Sequence, residues 1–522
     1  MSSQKREFKI KLMSKIRRGV QIIFLFFFIY LLFQARFPYQ GKIPSELFLR
    51  FDPLAQLLAS LSSREFTSWF WMGLITLGLT IIFGRVFCGW LCPMGTTIEF
   101  TEKLLPKRKP LPKPASFSLK WFKYFLLFLV IFSALAGRNF WYLLDPIPLV
   151  HRIYILVFYP LLVYLGKSGL ELGEPLLEKL GLERLAYLQL TPAYFNQVFL
   201  TAGIFAGIIL LSLWMPRFFC QNLCPLGALL GIFSRFSLLG KNVSSSCIDC
   251  GLCLRSCPVW AIEEKSWQDK EAECIKCFIC QDRCPTSAIA YGFFKKGFQR
   301  SYGVNLSRRS FLGASLLGLG AGFLARGSSS AQSKLNEIIR PPGAIPEQEF
   351  LARCTRCGKC IKICPTRVIQ AQGLEQGLEG FSAPRMIMRI AGCDQECTLC
   401  GEICPTDALR ALELEEKKYA KLGSAEINQQ RCLVWAWGQV CLICDEICPY
   451  NAIVFQEIDG LRRPVVIPSR CNGCGWCEYA CPVKGESAIR VSKSGEIRLA
   501  QGSYKETAQK QGIELSAQDQ LE

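Results

Sequence analysis

Cysteine is the residue type through which this chain can do chemistry: it has 28, and 24 of them fall in six segments of four. These are CIDCGLCLRSCP (247–258), CIKCFICQDRCP (274–285), CTRCGKCIKICP (354–365), CDQECTLCGEICP (393–405), CLVWAWGQVCLICDEICP (432–449) and CNGCGWCEYACP (471–482). Four of the segments match C-x2-C-x2-C-x3-C-P, and the other two lengthen only the first gap. That run ligates 4Fe-4S cubanes: three close thiolates wrap three irons from one tight loop, while the fourth cysteine serves a neighbouring cluster, so motifs work in pairs. Structural zinc needs ligands arranged two and two, which six C-x2-C-x3-C-P cores fit poorly. Disulfides suit an oxidising compartment, but not a segment that acquires its clusters before export. Five motifs continue after the proline into x-x-[AV]-[IL], and the sixth arrives there as PVKGESAI; a short turn and then a strand is expected.

For the first pair, the pattern assigns Cys247, Cys250, Cys253 and Cys284 to one cluster, and Cys274, Cys277, Cys280 and Cys257 to the other. Four more clusters are expected from Cys354, Cys357, Cys360, Cys364, Cys393, Cys397, Cys400, Cys404, Cys432, Cys441, Cys444, Cys448, Cys471, Cys474, Cys477 and Cys481. The first cysteines of those motifs are evenly spaced, which leaves their pairing open. The last four cysteines form two C-x3-C-P motifs, RVFCGWLCPMG (85–95) and RFFCQNLCPLG (217–227), which share R-x-F-C-x-x-L-C-P-x-G. Each offers two thiolates. Cys88, Cys92, Cys220 and Cys224 together are open to three readings: a shared metal or iron–sulfur centre, a redox-active thiol pair, or plain structural cysteines.

The elements that carry these residues divide sharply. Apolar stretches at 19–36, 68–87, 121–137 and 196–215 are each read as long enough to cross a hydrocarbon core, whereas 152–166, short and containing Pro160, reads as interfacial or re-entrant. The two cysteine motifs each follow one of these stretches, and FDPL (51–54) and LDPI (144–147) occupy matching places, so a duplicated two-helix unit is expected. It would set the four cysteines near the cytoplasmic face and Asp52 and Asp145, candidate proton acceptors, near the outer face. Asp before Pro is also a common turn signal. The net charge is +19, yet residues 346–522 carry 21 Lys and Arg against 23 Asp and Glu. The basic excess therefore sits in the first part of the chain, much of it in KREFKIKLMSKIRR and KLLPKRKPLPKP beside the apolar stretches. That is the positive-inside pattern of a multi-pass cytoplasmic-membrane protein and argues against a nucleic-acid partner. A single histidine, His151, excludes a membrane haem held by paired imidazoles. SRRSFLGASLLGLGAGFLA (307–325) reads as a twin-arginine export signal through Arg308 and Arg309, or as a fifth membrane anchor.

The expected fold is an α-helical membrane domain of four spanning helices in a duplicated two-helix unit, plus α+β bacterial-ferredoxin-like modules. The boundaries read from the sequence are 1–240 (membrane), 241–300 (cytoplasmic two-cluster module), 301–345 (signal or fifth segment, with the RGSSSAQSKLNE linker), 346–500 (exported four-cluster domain) and 501–522 (polar tail).

On these motifs, residues 1–300 resemble the NapH-type membrane polyferredoxin, and residues 301–500 resemble the NapG or MauM-type exported polyferredoxin, here fused in one chain. The resemblance implies six 4Fe-4S clusters, two cytoplasmic and four exported. It also implies quinol from the quinone pool as donor and a periplasmic reductase, or its cytochrome or iron–sulfur partner, as acceptor. It further implies that outer and inner exported motifs exchange cysteines, Cys354, Cys357 and Cys360 with Cys481, and Cys393, Cys397 and Cys400 with Cys448. Reverse flow from a periplasmic dehydrogenase, an accessory role in maturing an exported enzyme, and a C-x3-C-P metal reductase are the competing functions. No flavin or molybdenum motif points to a terminal catalytic site.

Overall fold

The computed structural model describes residues 13–39, 41–104, 119–139, 141–179, 194–262, 270–293, 308–324, 338–374 and 379–514. Most of the basic flank around residue 108, the start of the N-terminal basic run, the RGSSSAQSKLNE linker and residues 515–522 lie outside the described residues. The chain divides into two compact units: one takes in Met1–Phe33, Leu47–Ile153 and Phe199–Leu324, the other Gln34–Glu46, Tyr154–Val198 and Ala325–Glu522. The cytoplasmic-type cysteine module thus belongs with the apolar helices, and the segments 34–46 and 154–198 belong with the second cysteine-rich part.

In the first unit, helices Met13–Gln34, Phe70–Phe83, Lys120–Leu135 and Val198–Trp214 carry the apolar stretches. Three of them are turned inside out. Phe70–Phe83 buries Gly73, Thr76 and Thr80, and Val198–Trp214 buries Thr201, Ile208 and Ser212, while Trp71, Ile75, Leu79, Phe199 and Leu210 face outward. Met13–Gln34 likewise buries Arg17 and Gln21 and exposes Ile22, Ile23 and Phe26.

Helix length corrects the four-span expectation. Among the described residues two helices are long and apolar enough to cross a membrane, Met13–Gln34 and Pro146–Glu174. The expected span at 68–87 contributes a helix of 14 residues that ends at Gly84, and that at 196–215 a helix of 17, against about 20 for a full crossing. The 152–166 stretch, expected to be interfacial, lies inside the 29-residue Pro146–Glu174 helix. Pro160 fails to break that helix because Tyr154–Phe158 just before it is wound as a π-turn, whose wider repeat gives room to a ring that would clash with a regular turn.

The twin-arginine stretch forms helix Arg308–Leu324. It lies on Lys120–Leu135, with Phe311 edge-on to Phe128 at 4.9 Å. A Cβ at Gly318 would stand 2.7 Å from the Leu129 carbonyl oxygen, the close backbone approach that small residues permit between membrane helices. A two-stranded antiparallel sheet, Leu239–Val243 with Ile289–Phe293, closes the cysteine module of this unit.

The second unit is built from strands that follow its cysteine motifs. Ile369–Ala371 pairs with Pro384–Met386, and Ile453–Ile458 forms a hairpin with Leu461–Val466 through Asp459 and Gly460, both at positive φ, as a two-residue primed turn requires. Ser424–Ile427, after the second motif, pairs antiparallel with Ile489–Ser492, after the fourth. That pairing loops the third motif outward and seats the fourth beside the second. The expected polar tail is partly structured: Ser503 caps helix Tyr504–Lys510, and Tyr504, Ala508 and Ile513 pack on Ala420 and Ile497, an apolar stripe that the polar composition conceals.

Candidate metal centres

All 28 cysteines are free thiols. The loops that carry them are shaped before any ligand is considered. In each unbroken C-x2-C-x2-C run the residues before and after the second cysteine have positive φ: Asp249 and Gly251, Lys276 and Phe278, Arg356 and Gly358, Gly473 and Gly475. Alternation of this kind turns successive backbone N–H groups toward one concavity, a nest that favours an anion, which is the character of a sulfide-bridged cluster. Phe278 in the left-handed region is a strained choice, and strain of this type concentrates at functional sites.

The proline continuation has a function that the sequence reading missed. Trp260, Ser287, Arg367, Asp407 and Asn451, each three residues after a fourth cysteine, adopt positive φ. The turn delivers a backbone N–H to that sulfur: Ala261 donates to Cys257 Sγ at 3.3 Å, Leu409 to Cys404 at 3.5 Å, Ala452 to Cys448 at 3.4 Å and Ala488 to Cys481 at 3.4 Å. Such bonds favour a thiolate. The x-x-[AV]-[IL] pattern was the available signal.

In the first unit Cys247, Cys250, Cys253 and Cys284 line one cavity. Cys257 packs with Cys274 and Cys277 on one side and with Cys280 on the other. In the second unit Cys354, Cys357, Cys360 and Cys404 line one cavity, Cys432, Cys441, Cys444 and Cys481 another, and Cys471, Cys474, Cys477 and Cys448 a third. Cys364 lies within electrostatic reach of Cys393, Cys397 and Cys400. This corrects the outer-with-outer exchange implied by the resemblance: Cys404, not Cys481, joins Cys354, Cys357 and Cys360, and Cys364, not Cys448, joins the Cys393 set. Neighbouring motifs exchange because each fourth cysteine sits one short helical turn from its own loop and points into the next. The two pairs then meet through motifs two and four, where the Cys393 N–H donates to the Cys474 oxygen at 2.7 Å and the Trp476 indole to the Cys393 oxygen at 3.2 Å. The spatial order of the four ligand sets is one, two, four, three.

The C-x3-C-P cysteines also converge. Cys88, Cys92, Cys220 and Cys224 line a single cavity with about 500 Å³ of open space. Both motifs fold alike, as a π-turn at Phe87–Leu91 or Phe219–Leu223 followed by a helix whose first residue is the proline, a position where its missing N–H costs nothing. Cys224 Sγ accepts the Gly227 N–H at 3.1 Å. The shared Arg and Gly have a reciprocal purpose. A Cβ at Gly227 would stand 2.9 Å from Arg85 Nη2, and one at Gly95 would meet Arg217 Nη1 at 3.8 Å, so each motif's glycine makes room for the other motif's arginine. Burial, then the neighbouring thiols, pushes Cys92 and Cys224 well up from the ordinary thiol range and Cys220 up to about 11.

Asp52 and Asp145 are brought together and completely buried. One oxygen of each serves a helix start: Asp52 Oδ1 accepts from the Leu54 and Ala55 N–H groups at 3.1 and 3.3 Å, and Asp145 Oδ1 from Ile147 N–H at 3.4 Å. Burial raises both carboxyls above the ordinary range, since two touching buried carboxylates cannot both ionise. The expected separation of cysteines and aspartates to opposite ends does not hold, because Pro146, next to Asp145, lines the cysteine cavity.

A family described as a 4Fe-4S binding domain matches residues 66–112 and 197–244, and a second of the same description matches 350–370. Families described as 4Fe-4S dicluster domains match 239–292 and 439–484. The methylamine utilization ferredoxin-type protein MauM of Methylorubrum extorquens is 36% identical over 185 residues, covering 34% of this chain and 80% of that protein. The chain belongs to the ferredoxin-type 4Fe-4S proteins. This ferredoxin-type chain is also 32% identical to the ferredoxin-type protein NapG of Escherichia coli K12 over 185 residues, 33% of the chain and 79% of NapG. With the putative electron transport protein YccM of the same organism it shares 27% identity over 188 residues, 34% of the chain and 43% of YccM. No solved structure matches it. As a ferredoxin-type protein it has an electron-transfer role.

Proposed function

We propose that the protein takes electrons from membrane quinol and delivers them to a redox partner on the exported side of the cytoplasmic membrane. The observation that carries this reading is the sequence of adjoining ligand sets in the second unit, which leaves no set isolated from the next. Bound in these sets, 4Fe-4S clusters supply one-electron transfer. Six are proposed, two held by Cys247–Cys284 in a cytoplasmic module and four by Cys354–Cys481 in an exported one.

The membrane part of the proposal rests on the inside-out helices. Ile, Leu, Phe and Trp side chains turned outward over Phe70–Phe83 and Val198–Trp214 suit hydrocarbon, while the Thr, Ser and Gly face satisfies close packing within. Four apolar segments in a duplicated unit remain the topology proposed, the shorter two being completed by the π-turns that follow them. Asp52 and Asp145 are proposed to take the protons that quinol releases; each keeps one oxygen, Oδ2, without a hydrogen-bond partner, and together they can hold a proton between them. Export through Arg308 and Arg309 is supported by the RRSFL sequence, and the packing of Arg308–Leu324 on Lys120–Leu135 supports its retention as an anchor. NapG and MauM, as ferredoxin-type relatives, place the proposed acceptor among periplasmic reductases or their redox partners.

Mixing reduced quinol anaerobically with the protein in membranes tests the proposal. Bleaching of the iron–sulfur absorbance is expected, and an unchanged spectrum would count against quinol as donor.

A further inference from the structure

The geometry points to one further iron–sulfur cluster, held jointly by Cys88, Cys92, Cys220 and Cys224 where the duplicated helices meet the two-cluster module. It rests on the electron-transfer reading above and adds a site to it. Each C-x3-C-P motif alone offers two thiols, but the structure places all four around one cavity, the complement a cubane takes. A single metal ion is a poorer fit: among the described residues no group of three or more His, Cys, Asp or Glu side chains is gathered as such a site, and the six ferredoxin-type sets, which suit clusters, share that property.

Charge supplies an independent argument. A cluster ligated by four thiolates is anionic, and an anion in a buried cavity must be compensated. Arg85 and Arg217 line the cavity and are each 2% exposed. Their carboxylate partners are already shared: Glu99 bonds Arg217 and also Arg17, and Glu273 pairs with Arg85 and also Lys123. Each buried set therefore holds two cations for one carboxylate and leaves a positive charge without an acidic side chain to answer it. Glu102, partly exposed, takes only the backbone N–H of Arg217. Four neutral thiols would give no reason to bury that surplus.

Position supplies the third argument. Cys88 packs in the same apolar cluster as Cys257, Cys274 and Cys277. Val259 and Ile275, beside Cys257 and Cys274 in sequence, line the four-cysteine cavity from the other side. A Cβ at Gly89 would stand 2.2 Å from the Ile275 carbonyl oxygen, so the two ligand sets share a wall of one residue's thickness.

Iron and acid-labile sulfide, determined per chain on the intact protein purified and reconstituted anaerobically, test this directly. The wild type should hold one cluster more than its six ferredoxin-type sets account for. Cys88→Ser with Cys220→Ser should lose one cluster's worth of both elements, and Cys247→Ser with Cys250→Ser should lose a different one, distinguishable by its electron paramagnetic resonance signal. Six clusters in the wild type, unchanged iron in the Cys88/Cys220 variant, or stoichiometric zinc or a disulfide at these cysteines would overturn the inference while leaving the electron-transfer reading intact. The absence of clusters from the wild type would overturn both. The wild-type count needs no variant to fold.

Discussion

At the scale of single residues, the cysteines were legible and their partners were not. Spacing alone marks Cys354, Cys357 and Cys360 as one loop, but which fourth sulfur reaches them depends on where a turn points. The structure gives Cys404, and a pair of substitutions separates the alternatives. Cys404→Ser should abolish the signal of the Cys354 set and leave the Cys432 set untouched, whereas Cys481→Ser should do the reverse; resonance spectra of the two variants, with the opposite assignment as the failing result, decide it. The Arg and Gly of R-x-F-C-x-x-L-C-P-x-G were visible as a repeat, yet their purpose was not, because each serves the opposite copy across more than a hundred positions of sequence. Gly227→Ala puts a methyl group 2.9 Å from Arg85 Nη2 and should cost on the order of 1–3 kcal/mol, as overpacking does. Gly203→Ala, where no atom lies within 4 Å of the added Cβ, should be neutral or better in a thermal melt.

At the scale of elements, the sequence located the helices and misjudged their limits. Residue counts do not reveal that Gly84 stops Phe70–Phe83, or that a π-turn carries the chain past Pro160; both depend on backbone geometry that composition does not encode. Helix Glu347–Arg353 offers a test of how the second unit is tied together. Its Glu347 is raised by burial but lowered more strongly by Arg340 and Arg498, ending at about 2, with Arg340 at 2.7 Å and Arg498 at 2.6 Å. A carboxylate whose folded value lies below its unfolded value stabilises above the unfolded value and loses that contribution as pH falls toward the folded one. Stability of this unit should therefore decline between about pH 4.5 and 2, and Glu347→Gln should flatten that decline while costing on the order of 2 kcal/mol at neutral pH. Denaturant melts across that range measure both; an unaltered pH profile in the variant would place the acid sensitivity elsewhere.

At the scale of the molecule, sixteen cysteines in one unit and twelve in the other are separated by a helix that begins with Arg308 and Arg309. If that pair directs export, replacing both with Lys should leave the Cys354–Cys481 unit inside, protected from protease added to intact spheroplasts; normal exposure of the variant would reduce Arg308–Leu324 to an anchor. Direction of sequence and order of ligand sets also part company here. The fourth motif lies between the second and third because the strand pair Ser424–Ile427 and Ile489–Ser492 folds the chain back, and no spacing in the sequence forecasts that return. The central claim, that these cysteines hold iron–sulfur clusters throughout, is tested most directly by counting. Iron and acid-labile sulfide in the anaerobically purified full chain should be equal and amount to at least six cubanes, whereas a single cubane's worth of iron, or zinc in its place, would contradict the account.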